Sequence, residues 1–116
     1  MPVLVLRTTG RRSGRAIETP LTYFTDGDAI FIVASKGGDA RNPGWFHNLV
    51  AQPDVTAIVD GRETPLRAEV VTEESERRRL FEKAASTYSG YAGYQQRTDR
   101  TIPVIRLRAR KSRKRA

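Results

Sequence analysis

Val55-Thr56-Ala57-Ile58-Val59-Asp60-Gly61-Arg62-Glu63-Thr64-Pro65-Leu66 holds two strand-forming runs joined by Asp-Gly, the second run continuing to Val71. Asp-Gly accepts positive φ at both central positions of a tight hairpin turn, and a hairpin makes its strands antiparallel. The same punctuation recurs on the N-terminal side. Ile17 to Thr25 alternates, with Ile17, Thr19, Leu21 and Tyr23 on one face, and Asp26-Gly27-Asp28 turns the chain into the apolar run Ala29 to Ala34. Pro20 argues that the alternating strand lies at an edge or carries a bulge. Val3-Leu4-Val5-Leu6 and Ile102 to Leu107 supply further strands near the two ends.

Helices interrupt this series only rarely. One is expected from Pro43 to Gln52, capped by Asn42 and stopped by Pro53, with Trp45, Leu49, Phe46 and Val50 toward the core and His47 and Asn48 at an edge. Another is expected to be capped by Thr72, with Glu73 and Glu74 in its first turn, Arg77, Arg78, Arg79 and Lys83 toward its end, and Leu80, Phe81, Ala84 and Ala85 as apolar contacts. About six strands joined mostly by hairpins, with two or three helices, make a mainly β, α+β fold, an antiparallel barrel or sandwich.

The 116 residues suffice for one domain, expected over residues 1–107, with 108–116 as a basic, disordered tail. The absence of cysteine excludes a disulfide scaffold and thiolate metal sites and suits a reducing cytoplasm, and no apolar run spans a bilayer. The net charge of +8 is concentrated. From Arg106 onward there are seven basic residues and no acid, whereas the remainder carries fourteen basic and thirteen acidic residues. A nearly neutral body with no recognised module argues against nucleic acid, while the tail could touch an anionic membrane surface. The second local excess is Arg7, Arg11, Arg12 and Arg15, with no acid before Glu18.

Two stretches suit anions. Gly10-Arg11-Arg12-Ser13-Gly14-Arg15 can surround phosphate or carboxylate oxygens with N–H groups, a hydroxyl and guanidinium forks. Ser35-Lys36-Gly37-Gly38 follows a strand and precedes a helix start, with glycines that let successive N–H groups converge. Tyr88, Tyr91 and Tyr94 recur every third residue, neutral hydroxyls that can donate a hydrogen bond or a proton, or rings that seal a barrel end. There is no Ser/His/Asp set, carboxylate pair or nucleotide fingerprint, and the lone His47 lacks partners at ligand spacing. Two anion-gripping loops beside aromatic hydroxyls suit a long anionic cofactor whose ring is walled by Trp45 and the tyrosines.

Thr8-Thr9-Gly10-Arg11-Arg12-Ser13-Gly14, Ala34-Ser35-Lys36-Gly37-Gly38, Asn42-Pro43 with Trp45-Phe46-His47-Asn48-Leu49, Tyr88 to Tyr94, and Thr98-Asp99-Arg100-Thr101-Ile102-Pro103 stand in this order along the chain. Together they resemble the deazaflavin-dependent nitroreductases and quinone reductases, split β-barrel enzymes that use coenzyme F420. The resemblance implies a split antiparallel barrel that passes hydride from reduced F420 to an electron-poor small molecule such as a quinone, nitroaromatic or activated enone. It implies that Arg11, Arg12, Ser13, Gly14 and Arg15, with Ser35, Lys36, Gly37 and Gly38, hold the cofactor's phosphate, polyglutamate tail and ring edge. Gly44, Trp45, Phe46, His47 and Asn48 would lie beside the deazaflavin, with Tyr91 also in contact. Tyr88, Tyr91, Tyr94 and Trp45 would line the acceptor pocket. Tyr88 or Ser35, with Tyr91 beside them, would polarise or protonate the product oxygen. Flavin mononucleotide on the same barrel is the alternative cofactor, and monomer and homodimer are both compatible.

Overall fold

The computed structural model describes residues 2–35, 42–87 and 101–110. It contains β1 (Val3–Thr9), β2 (Ala16–Thr22), β3 (Phe24–Asp26), β4 (Ala29–Val33), α1 (Gly44–Ala51), β5 (Asp54–Val59), β6 (Arg62–Val70), α2 (Glu74–Thr87) and β7 (Val104–Ala109). Every strand pairing is antiparallel, in the order β2-β1-β5-β6-β7-β4-β3. The two outermost strands, β2 and β3, are separated in the chain by Tyr23 alone. One bent segment therefore pairs with β1 through its first half and with β4 through its second, which closes the sheet into a barrel. The alternating stretch read as one strand is two for this reason, and Pro20 does sit on an outermost strand, opposite Val5.

The β5–β6 turn has the backbone its sequence requires, with Asp60 at φ 52° and Gly61 at φ 76°. Inside the barrel, Leu4, Leu6, Ile32, Val55, Ala57, Leu66, Ile105 and Leu107 form one buried cluster, closed at one end by Trp45 and Leu49 of α1. A second cluster lies outside it, where Leu80, Phe81 and Ala84 of α2 cover Phe24, Phe31, Val33 and Val104. β4 is thus buried on both faces, and that explains its unbroken apolar run. Arg77 fastens α2 to the strand entering β7, donating through Nη1 to the carbonyl of Ile102 at 3.0 Å.

Both helix starts differ from expectation. Pro43, with φ −67° and ψ 156°, is the extended N-cap residue before α1, and it makes no side-chain cap hydrogen bond. Proline's fixed φ suits extended backbone as well as a first helical turn, and here the helix begins one residue later. α2 also starts late, so the capping acceptor is Glu73 rather than Thr72: its carboxylate accepts the Glu76 N–H at 2.8 Å and the Ser75 hydroxyl at 2.7 Å. The basic residues of α2 lie in its middle, where Arg77, Arg78 and Arg79 pair with Glu74 and Glu76 three or four positions earlier. Val50, expected in the core, is 56% exposed, because α1 inserts only one row of side chains into the barrel mouth. No helix among the described residues is long and apolar enough to cross a membrane.

Strand β7 runs past residue 107. Arg108 pairs with Glu69, and Arg110 donates to the carbonyls of Leu66 and Val55 at 3.0 and 2.7 Å. The cations counted with the tail from Arg106 therefore begin inside the sheet, and Lys111 to Ala116 lie outside the described residues.

Candidate functional site

Because all neighbours are antiparallel, β1 and β4 run in the same sense and leave the barrel at one end. The Gly10–Arg15 loop, Ser35 and the start of α1 all follow from those two exits. The loop is tightly built. Gly10 N–H donates to Arg15 O at 2.7 Å, Gly14 N–H donates to Gly10 O at 2.8 Å, and Arg15 N–H donates to Ser13 Oγ at 3.1 Å. Gly14 takes φ 73°, a conformation that costs glycine nothing.

Arg11, Arg12 and Arg15 are exposed, and among the described residues their guanidinium groups have no ion pair or hydrogen bond. Arg7, grouped with them in sequence, is different: it is clamped by Glu18 at 2.9 Å and by both oxygens of Glu63 at 3.1 and 3.0 Å. These bonds raise the Arg7 pKa and hold that of Glu63 below the usual carboxylate range. Arg7 is spent within the protein, and the three loop arginines are not.

Asn48, expected at an edge, is buried. Its Oδ1 accepts the Arg11 N–H at 3.1 Å, and its Nδ2 donates to Thr8 Oγ1 at 3.2 Å. Thr8 follows Leu4 and Leu6 on the inward side of β1, so the first turns of the arginine loop are tied to α1 from inside the barrel mouth. The signal in the sequence was the alternation Leu4, Leu6, Thr8, which puts a hydroxyl on a buried face where it needs a partner.

Along α1, Gly44 is exposed, with nothing within 4 Å of where a Cβ would stand. Trp45 is packed into the barrel cluster, which leaves little of its ring for a pocket wall. Phe46 is half-buried and meets the His47 ring edge-on, 5.7 Å between centroids. Ser35 is buried two residues after the end of β4. The remaining residues expected at the site, Lys36, Gly37, Gly38, Tyr88, Tyr91 and Tyr94, lie outside the described residues.

A groove of about 900 Å³ runs beside Pro53, Asp54, Arg67, Glu69, Arg108 and Arg110. Its charges are already matched, Arg67 with Asp54 and Arg108 with Glu69, so its guanidiniums are less available to an anion than those of the β1–β2 loop.

The profile of the F420H(2)-dependent quinone reductase family matches residues 1–108. An F420H(2)-dependent quinone reductase of Mycobacterium tuberculosis is 44% identical over 111 residues, covering 94% of this chain and 74% of its own. The solved structure of an F420-H2 dependent reductase, FDR-A, superposes with TM-score 0.81 at 36% identity, over 91% of this chain and 93% of the other. A second structure, described as a domain-swapped dimer, gives the same score and identity, over 91% of this chain and 79% of the other. Closed antiparallel barrel, arginine loop and helix-capped mouth thus coincide with a match along nearly the whole sequence: the chain belongs to the F420H(2)-dependent quinone reductase family.

Proposed function

We propose that the protein passes hydride from reduced F420 to a quinone or a similar electron-poor small molecule, with the cofactor's anionic tail held by Arg11, Arg12 and Arg15. The observation that carries the reading is the contrast between the clamped Arg7 and the three unpaired loop arginines. Unpaired guanidiniums on a loop that is itself well ordered by hydrogen bonds fit a ligand that brings several carboxylates and a phosphate. Ser13 fits as well: its Oγ accepts within the loop, and its hydroxyl proton remains to donate. Gly44 leaves open space over the first turn of α1 for a flat ring.

Bound there, the cofactor supplies the hydride from its reduced deazaflavin ring. The chain supplies position and a proton. Ser35 Oγ and Tyr88 Oη are the candidates to donate to the product oxygen, with Tyr91, Tyr94 and the exposed edge of α1 bounding the acceptor. Lys36, next in sequence after Ser35, adds a cation.

Titration of the purified protein with oxidised F420, followed by fluorescence and run beside flavin mononucleotide, tests this reading. Salt-sensitive binding of F420, weaker in Arg12→Ala and Lys36→Ala, supports it. Preference for flavin mononucleotide, or an F420 affinity that neither substitution changes, refutes it.

A further inference from the structure

Asn48 sits where the arginine loop meets α1, 7% exposed, and Thr8 beneath it is 2% exposed. The orientation of its amide is determined by chemistry. A backbone N–H can only donate, so the atom facing Arg11 N–H is Oδ1, and Nδ2 is thereby turned to Thr8 Oγ1. Both polar ends of the side chain are engaged within the protein and the residue is 7% exposed, so little of it is open to a ligand. Replacing Asn48 and Thr8 by apolar groups of the same shape would remove their mutual bond at little cost but leave the Arg11 N–H without its acceptor. What an amide provides and an apolar group does not is a bond to one specific N–H of an exposed loop. That bond joins residues 37 positions apart, and the bond to Thr8 joins residues 40 apart.

We infer that Asn48 is a positioning residue for cofactor binding: through Arg11 N–H and Thr8 it fixes the arginine loop to α1, so that the three guanidiniums are already placed when the anionic tail arrives. The inference rests on the reading that this loop grips F420. It differs from the direct contact that the family resemblance implied for Asn48. With the tether cut, the loop keeps its internal hydrogen bonds but loses its fixed attachment to the helix, and the tail must order it on binding.

The test compares wild type with Asn48→Ala and Thr8→Val. The second is nearly isosteric and removes only the acceptor for Nδ2. Oxidised F420 is titrated by fluorescence, kcat and KM for F420H2 are measured with a soluble quinone, and amide exchange is followed in the loop by mass spectrometry. The loss of two net hydrogen bonds in Asn48→Ala is expected to raise the F420 Kd about tenfold, and the loss of one in Thr8→Val about threefold. KM should follow Kd while kcat stays within about twofold, since the tether holds the loop proposed to grip the anionic tail and not the groups proposed to donate the proton. Exchange should quicken at residues 11–15 and stay unchanged in β5 and β6. Wild-type Kd and loop exchange in folded Asn48→Ala would overturn the inference, as would a fall in kcat with Kd unchanged. Should Asn48→Ala not fold, Thr8→Val decides by the same criteria. Failure of wild type to bind F420 would overturn the site reading and this inference together, whereas binding by wild type with no effect of either variant overturns the inference alone.

Discussion

Replacing Gly10 by alanine tests whether the arginine loop is built as tightly as its hydrogen bonds indicate. Gly10 is buried and closes the loop from both sides, donating to Arg15 O at 2.7 Å and accepting from Gly14 N–H at 2.8 Å. A Cβ there would stand 2.6 Å from Ser13 Oγ, 3.1 Å from Ile17 Cδ1 and 3.4 Å from Arg15 O. At 2.6 Å the hydroxyl must rotate away, and its acceptance of the Arg15 N–H is lost, a cost of about 1 kcal/mol. Moving Ile17 by a few tenths of an ångström adds about 0.5 to 1 kcal/mol through its rotamer. Alanine also stiffens the unfolded chain, which offsets about 0.4 to 1 kcal/mol. The net is about 1 kcal/mol of destabilisation, or a fall in Tm of about 4 °C.

The effect on binding is larger than that on folding, because the distortion falls on the segment carrying Arg11, Arg12 and Arg15. F420 affinity is expected to drop about tenfold. The cause is separable. Ser13→Ala removes the clashing oxygen, after which the nearest atom to the new Cβ is Ile17 Cδ1. Gly10→Ala should therefore cost little more in the Ser13→Ala background, giving a coupling of about 1 kcal/mol in a double-mutant cycle. Thermal melts and F420 titrations of the four proteins measure it. Strict additivity, or wild-type Kd in Gly10→Ala, refutes the geometry of the loop.

Two further substitutions probe the frame. Asp26 accepts from Arg79 at 3.2 and 2.9 Å and from Lys83 at 3.3 Å, and Arg79 first, then Lys83, holds its carboxyl down to about 2. Its folded pKa lies below the unfolded value, so this contribution is complete above about pH 4 and is lost as pH falls through about 2. Asp26→Asn is expected to cost about 1 kcal/mol at pH 7 in this partly exposed network. In urea melts the gap from wild type should narrow between those limits, and a gap constant down to pH 2 would sink the assignment. Ending the chain after Leu107 removes the Arg108 ion pair and two Arg110 bonds to carbonyls, and should cost about 2 kcal/mol. Ending it after Arg110 should leave Tm within about 1 °C. Equal melts for the two truncations would show that Arg108 and Arg110 do not hold the sheet.

Local chemistry made much of the fold legible. Asp60-Gly61 and Asp26-Gly27-Asp28 specify their turns through backbone preference, and the unbroken run Ala29 to Ala34 marks a strand covered on both faces. What stayed hidden depends on residues far apart in sequence. The break at Tyr23 arises because one segment must serve two edges of a closing sheet. Asn48 reads as a polar edge position when hydrophobic period is the guide, and only its meeting with Thr8 on β1 explains why it is buried. The seven cations counted from Arg106 looked like one solvated run, yet alternate residues of it face acids and carbonyls on β5 and β6.

The distribution of charge also bears on what so basic a chain binds. Arg67, Arg77, Arg78, Arg79, Arg106, Arg108 and Arg110, like Arg7, meet carboxylates or carbonyls of the fold. Each ion pair cancels most of the long-range field of its guanidinium and has an anion to give up before it can bind another, and a guanidinium bonded to carbonyls has donors already in use. Among the described residues the arginines without such a partner are Arg62, in the β5–β6 hairpin, and the three of the β1–β2 loop. A duplex or a membrane surface attracts in proportion to the cations spread across a face. Among the described residues, three of the four arginines without such a partner are gathered on one short loop. That loop's backbone is fixed by its own hydrogen bonds and by Asn48, which fits the anionic tail proposed for it. Among the described residues the pairing state of each arginine is therefore a better guide to the partner than net charge.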